Sequence, residues 1–412
     1  LQILSNPLSI RHAIHRRIRH CRSSAHGAQI DRPIAQGEIQ VASGETPNLE
    51  QWSNPGGGSG LRKQTAMRSR VARIAVVLFV SFPAMAQSQP APLNLALPTE
   101  NDAIYRGDGP GFYQYIVRDW KGVQSTPWEG GQYGFVRNPT ETPSGIIYTR
   151  FHEGIDIRPL ERDARGEPLD PVRAIAAGHV VHTNLAPGFS NYGKYVVVEH
   201  RWDGCNYYSL YGHLSSIQVQ VGQRVEQRDQ LGVMGHSGEG LNQARAHLHL
   251  ELNLMLSRRF EPWYDHFSKS DPNRQGLYNG INLIGLDIAR LYLALQKRPS
   301  LTIPEFLAEE ETFYRVLLPG SKNFDLARFY PWMIARKTEK LPVSWEISFN
   351  RVGVPVKIEP SEEPAAEPKL SYLKPIGINA SELTRGQIAG RGEAAHLTKK
   401  GKQFMRLLTY PD

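Results

Sequence analysis

An all-β domain of sandwich or barrel type over residues 146–256 is what the sequence predicts, on three observations. Short runs rich in Val, Ile, Tyr and Thr recur there, at Ile146–Arg150, Gly178–Thr183, Lys194–His200, Tyr207–His213 and Ile217–Val221. Clusters of Gly, Pro, Asn and Asp separate the runs, at the spacing of strands and tight turns. The third observation is the stretch Ala246–Glu251, which reads as a buried strand except that His247 and His249 occupy two of its positions. Residues two apart on a strand share a face, so these imidazoles project side by side while Leu248 and Leu250 face the other way.

Paired imidazoles on a rigid strand can give one nitrogen to a metal and keep another for proton transfer. About a hundred residues earlier comes Phe151-His152-Glu153-Gly154-Ile155-Asp156-Ile157. Gly154, the flanking isoleucines and Pro159 favour extended chain over helix here, so the even spacing of His152 and Asp156 again puts two side chains on one face. An imidazole and a carboxylate from this stretch, with one imidazole of the His247/His249 pair, make three N/N/O ligands. That is the catalytic type of zinc site, which leaves a fourth position for water.

The order of motifs between residues 150 and 254 resembles the lysostaphin-type, or LytM-domain, zinc metallopeptidases. His152-x-x-x-Asp156 is followed by Pro171-Val-Arg-Ala174, Ala177-Gly178-His-Val180 and Asn191–His200. Then come Tyr211-Gly-His213, Val221-Gly-Gln-Arg-Val225, Gly235-His-Ser-Gly238 and His247-Leu-His249. The resemblance implies an antiparallel β-sandwich of duplicated-hybrid-motif type, zinc held by His152, Asp156 and His249, and catalytic roles for His247 and His213. It also implies action on the peptides of bacterial peptidoglycan. The sequence departs from the family pattern in the charged loop Leu160–Asp170 and in Ala244-Arg245-Ala246, where small residues or proline usually lead into the second motif. Both departures bear on substrate preference.

Residues ahead of this domain carry other signals. Met67 is followed by Arg68, Arg70 and Arg73, the apolar run Ile74–Phe82 and Pro83-Ala-Met-Ala86, the pattern of a secretory signal peptide over residues 67–86. The run is about half the ~20 residues that span a bilayer, so no stable membrane anchor is expected. Residues 1–66 lack apolar periodicity and are expected to be disordered sequence upstream of the true start. The exported protein is expected in the periplasm or outside the cell. The net charge of +8 suggests a polyanion partner, but residues 1–86 hold 11 Lys and Arg against 4 Asp and Glu. The remainder, with 37 basic and 36 acidic residues, is near neutral, which argues against nucleic acid. Of the two cysteines only Cys205 follows residue 86, so no disulfide is expected within the exported chain.

The flanks carry no chemistry of their own. Residues 87–145 read as an irregular segment packing on the catalytic domain, with Asn138-Pro139 marking a turn. Residues 257–358 read as an α+β extension. Its apolar stripe Ile281, Ile284, Ile288, Leu291 and Leu295 predicts one helix, a second is expected near 304–318 and a third at about 322–337. A β-hairpin follows around Arg351, then a Pro/Glu/Ala linker at 359–369 and a tail, 370–412, with a short helix near 399–408. His179, His182 and His200 are assigned to solvated surface positions, and His236 and Glu251 are candidates for contacts behind the ligands. Two other readings compete. An inactive binding or activating scaffold is disfavoured by the complete residue set, and a biotinyl-carrier-like fold lacks its lysine, since Gly235-His236-Ser237 stands at the hairpin tip.

Overall fold

The computed structural model describes residues 92–269 and 271–412, so the expectations for residues 1–86 lie outside the described residues. The main sheet runs Arg224–Val225, Gly178–Asn184, Tyr195–Trp202, Cys205–Gly212, Leu248–Met255, Leu283–Gly285, every neighbour antiparallel. Ile155–Ile157 pairs with the first half of Leu248–Met255. A smaller sheet of Ser216–Ile217, Gln230–Val233 and Pro171–Arg173 forms the second layer. Its Val172 and Leu231 share one buried cluster with Val196, Val198, Tyr211, Leu248 and Leu250 of the main sheet. The domain is all-β, as the strand spacing predicts, and antiparallel, as the resemblance implies.

Leu248–Met255 is the spine, and its alternation explains its position. Leu248, Leu250, Leu252 and Leu254 all point into the core and are fully buried. Each contributes about 1.5–3 kcal/mol of burial. That contribution offsets the cost of desolvating the opposite face, where His249, Glu251 and Asn253 are buried as well. The polar file is hydrogen-bonded along its length. His249 Nε2 lies 2.8 Å from Glu251 Oε1, and Asn253 Nδ2 donates to Glu251 Oε2 at 2.9 Å.

Some flanking elements differ from their sequence reading. The Asn138-Pro139 turn lies inside a strand, because Gly134–Thr142 and Gly145–His152 form a long hairpin. A two-stranded hairpin has open edges, where a proline costs no ladder bond. The helix predicted from Ile281 begins only at Ile288, after Asp287 caps Arg290 N–H at 3.0 Å. Asn282 prevents an earlier start, since its amide donates to Ser257 O and Leu277 O and fixes a non-helical turn. The second helix stops at Ala308, and Tyr314–Pro319 is a strand between Ser344–Phe349 and Lys369–Leu373. The third is reduced to Asp325–Phe329. The hairpin around Arg351 and the last helix, Lys399–Leu407, lie where the sequence puts them. The expected linker 359–369 shortens to residues 362–368, because 359–361 and 369 belong to strands of one four-stranded sheet, which runs Pro355–Ser361, Ser344–Phe349, Tyr314–Pro319, Lys369–Leu373. Tyr330 ties this part to the spine, accepting from Met255 N–H at 2.9 Å and donating to Asn206 O at 3.0 Å.

His200 is a correction, being only 1 % exposed. Its Nδ1–H donates to Ala177 O at 2.9 Å, and Ser209 Oγ stands 2.7 Å from its Nε2, with Tyr211 Oη next in line. Burial pushes its pKa down to about 4. The unfolded chain takes up this proton near the ordinary value of ~6.5, so stability is complete above that pH and is lost as pH falls toward 4. The expected loss from His200 alone is about 3 kcal/mol. Denaturant unfolding at a series of pH values should show it, and His200→Gln should flatten that part of the curve.

Candidate metal centre

Three strands converge on one point. The hairpin strand Gly145–His152 ends at His152, the chain bends at Glu153-Gly154, and Ile155–Ile157 then joins the main sheet. The bend requires glycine, because a Cβ on Gly154 would lie 2.2 Å from Leu250 O. Beyond it, Asp156 stands directly opposite His249 in the antiparallel ladder. Cross-strand partners on one face are about 5 Å apart at Cβ, so this register alone brings carboxylate and imidazole together.

The donor atoms form a near-equilateral triangle. His152 Nε2 and His249 Nδ1 each lie 3.0 Å from Asp156 Oδ1 and are 3.1 Å from each other. Zinc with tetrahedral bonds of ~2.0–2.1 Å separates its donors by about 3.3 Å, so the triangle fits such an ion without rearrangement. The groups behind the donors fix which nitrogen faces inward. His152 donates Nδ1–H to Gln132 O at 2.8 Å, and His249 donates Nε2–H to Glu251. With those protons outward, a neutral ring turns a lone pair to the centre, as metal ligation requires. Asp156 Oδ2 is held by Arg137 Nη2 at 2.6 Å, leaving Oδ1 for the centre.

His247 and His213 stand beside this triangle. His247 Nε2 is 3.3 Å from Asp156 Oδ1, and the two rings lie 4.7 Å apart between centroids. Each donates Nδ1–H to a carbonyl, His247 to Arg245 O at 2.7 Å and His213 to Ser237 O at 2.8 Å. Both thus turn Nε2 into the shared cavity. His213 does so from the left-handed region, at φ 62°. That conformation costs a non-glycine residue about 1–2 kcal/mol, a strain typical of functional positions.

The charges are interdependent. Burial pushes the Asp156 carboxyl up, but the fields of His152, His247 and Arg137 together hold it well below the usual range. Burial keeps His152 below its ordinary value. Burial and then repulsion from His247 and His249 keep His213 well below it. Burial also works against a charged His249, yet its bonds to Asp156 and Glu251 raise it to about 10.

Residues 150–262 match Peptidase family M23. This chain carries a peptidase family M23 domain. A metalloprotease of Buchnera aphidicola, described as uncharacterized, is 28% identical over 102 residues, which are 24% of this chain and 23% of that one. The chain thus spans about a quarter of the length of that relative. Among solved structures, the catalytic domain of lysostaphin from Staphylococcus simulans is 21% identical. That match covers 37% of this chain and 85% of lysostaphin's, with a TM-score of 0.22. A zinc-containing peptidase from Vibrio cholerae is 26% identical and covers 34% of this chain and 35% of its own, with a TM-score of 0.21.

All five residues singled out from the sequence lie together in the M23 domain, in one cavity of about 780 Å³. Glu251, whose direction the sequence left open, is buried against His249. His236 is not part of the cluster and pairs with Glu167 at 3.1 Å. Gln132 and Arg137 were missed. A backbone carbonyl leaves no mark on a sequence, and Arg137 lies in a segment that reads as turns. Replacing Glu251 by Gln should weaken zinc affinity about 10- to 100-fold with the fold intact, as competition with a chelating dye would measure.

Proposed function

We propose that the M23 domain is a zinc endopeptidase that hydrolyses peptide bonds in the stem or cross-link peptides of bacterial peptidoglycan. The observation that carries this reading is the convergence of three donor side chains with two further imidazoles whose Nε2 atoms face the same cavity. His152, Asp156 and His249 would hold the ion. When bound, zinc polarises the scissile carbonyl and lowers the pKa of its water toward ~7.

The protein groups supply the proton transfers. His247, pinned through Nδ1–H by the Arg245 carbonyl, offers Nε2 to accept the proton of the attacking water and hand it to the leaving amine. His213 is neutral, and its only N–H is committed to Ser237 O. It therefore acts as an acceptor that orients the water, rather than as a donor to the oxyanion. The desolvated walls strengthen each of these contacts. On this reading the protein reaches peptidoglycan by export through residues 67–86. Among the described residues, no helix is long and apolar enough to cross a membrane.

Digestion of purified sacculi by the zinc-loaded chain from residue 87 onward should release soluble peptides that mass spectrometry identifies as cut at an amide. Asp156→Ala or His249→Ala should abolish both zinc content and release. His247→Ala should keep zinc and lower turnover about 10²- to 10⁴-fold. Intact sacculi after treatment with the zinc-loaded protein would refute the assignment.

A further inference from the structure

The hairpin of Gly134–Thr142 and Gly145–His152 serves the metal centre while resting on little sheet of its own. It ends in His152, sends Arg137 to Asp156 and follows closely on Gln132, whose carbonyl orients His152. Among the described residues its two strands pair only with each other. A lone two-stranded ribbon is marginally stable in water, so its docked position needs support from outside the ladder.

That support stands one rung from the ligand. Phe135 and Phe151 are cross-strand partners, next to the pair Gly134 and His152. Their rings lie 5.5 Å apart between centroids, and Tyr133 meets Phe151 edge-on at 5.4 Å. Two guanidinium groups from the C-terminal region cap these rings. Arg351 Cζ lies 5.8 Å from the Phe135 centroid, and Arg385 Cζ lies 5.2 Å from that of Phe151. Among the described residues neither arginine takes part in an ion pair. A cation within ~6 Å of a ring centroid, over its face, is drawn to the ring quadrupole. Both arginines sit on stiff turns. The Asn350 side chain closes the first, accepting from the N–H groups of Val352 at 3.2 Å and Val354 at 2.9 Å. Arg385 lies in the left-handed region at φ 54°, and Thr384 Oγ1 pins its turn by donating to Ala380 O at 2.7 Å. A non-glycine residue persists in that region only where its surroundings dictate it.

We infer that Arg351 and Arg385 are positioning residues that clamp the hairpin through Phe135 and Phe151 and so hold His152 at the metal centre. Both lie beyond residues 150–262, the stretch that matches family M23. The C-terminal region therefore belongs to the working site, although none of its residues reaches a donor atom. A hairpin docked for only part of the time would lower the apparent zinc affinity by that fraction. The inference rests on the zinc reading of the site for this consequence, and on the hairpin alone for the docking itself.

The test follows two readouts in the full chain: zinc affinity by competition with a chelating dye, and amide hydrogen exchange of residues 134–152 without zinc. Together, Arg351→Ala and Arg385→Ala should weaken zinc binding about 5- to 30-fold. They should speed hairpin exchange by a similar factor and leave the denaturant midpoint of the zinc-free chain unchanged. Arg385→Lys, which keeps a cation over the ring, should retain part of what Arg385→Ala loses. Phe151→Leu should cost about as much as Arg385→Ala, and the two combined no more than either alone, as for one shared contact. Unchanged exchange, unchanged affinity in a chain that binds zinc, or losses that add would each overturn the inference. If exchange responds while the unaltered chain takes up no zinc, the clamp stands and the metal reading falls.

Discussion

The Asp156 carboxylate is the point on which the site depends. It is almost completely buried, and an isolated carboxylate there would be expensive. It is tolerated because Arg137 takes one oxygen, while His152, His247 and His249 crowd the other at 3.0–3.3 Å. Each imidazole is held in turn by a group behind it. Gln132 O fixes His152, Arg245 O fixes His247 and Glu251 fixes His249. The imidazoles are thus oriented before any ion or substrate arrives, and little ordering remains for binding to supply.

That orientation comes from sheet register rather than from loops. Asp156 and His249 are ladder partners, and Gly212, next to His213, is the partner of His249 on its other side. Gly235 bridges His247 just before the spine begins. A slip of one residue in any of these pairings would turn the side chains to the opposite face, where four buried leucines forbid it. The apolar face of Leu248–Met255 therefore enforces the chemistry on its polar face.

Much of this was legible in the sequence, and the failures have a common cause. The period-2 alternation of Leu248–Leu254 is local, and the strand signal between residues 146 and 254 is dense, whereas His152 and Asp156 meet across the bend at Gly154 and not by even spacing on one strand. What was missed depends on distant partners. Tyr314–Pro319 reads equally well as an apolar helix until strands 344–349 and 369–373 arrive on either side of it. His200 reads as a strand-end polar residue until Ala177 and Ser209 enclose it. Arg137 shows nothing until the hairpin folds back over Asp156.

The buried hydroxyl of Tyr330 has a consequence for how the molecule holds together. It bridges the end of the spine and Asn206, inside an apolar cluster that runs without a break from Leu93 to Leu408. Undocking the C-terminal region would strand a phenol in the interior and bare a wide greasy surface. The shared apolar cluster joins the two parts, and the face that carries the imidazoles is backed by residues that never approach it.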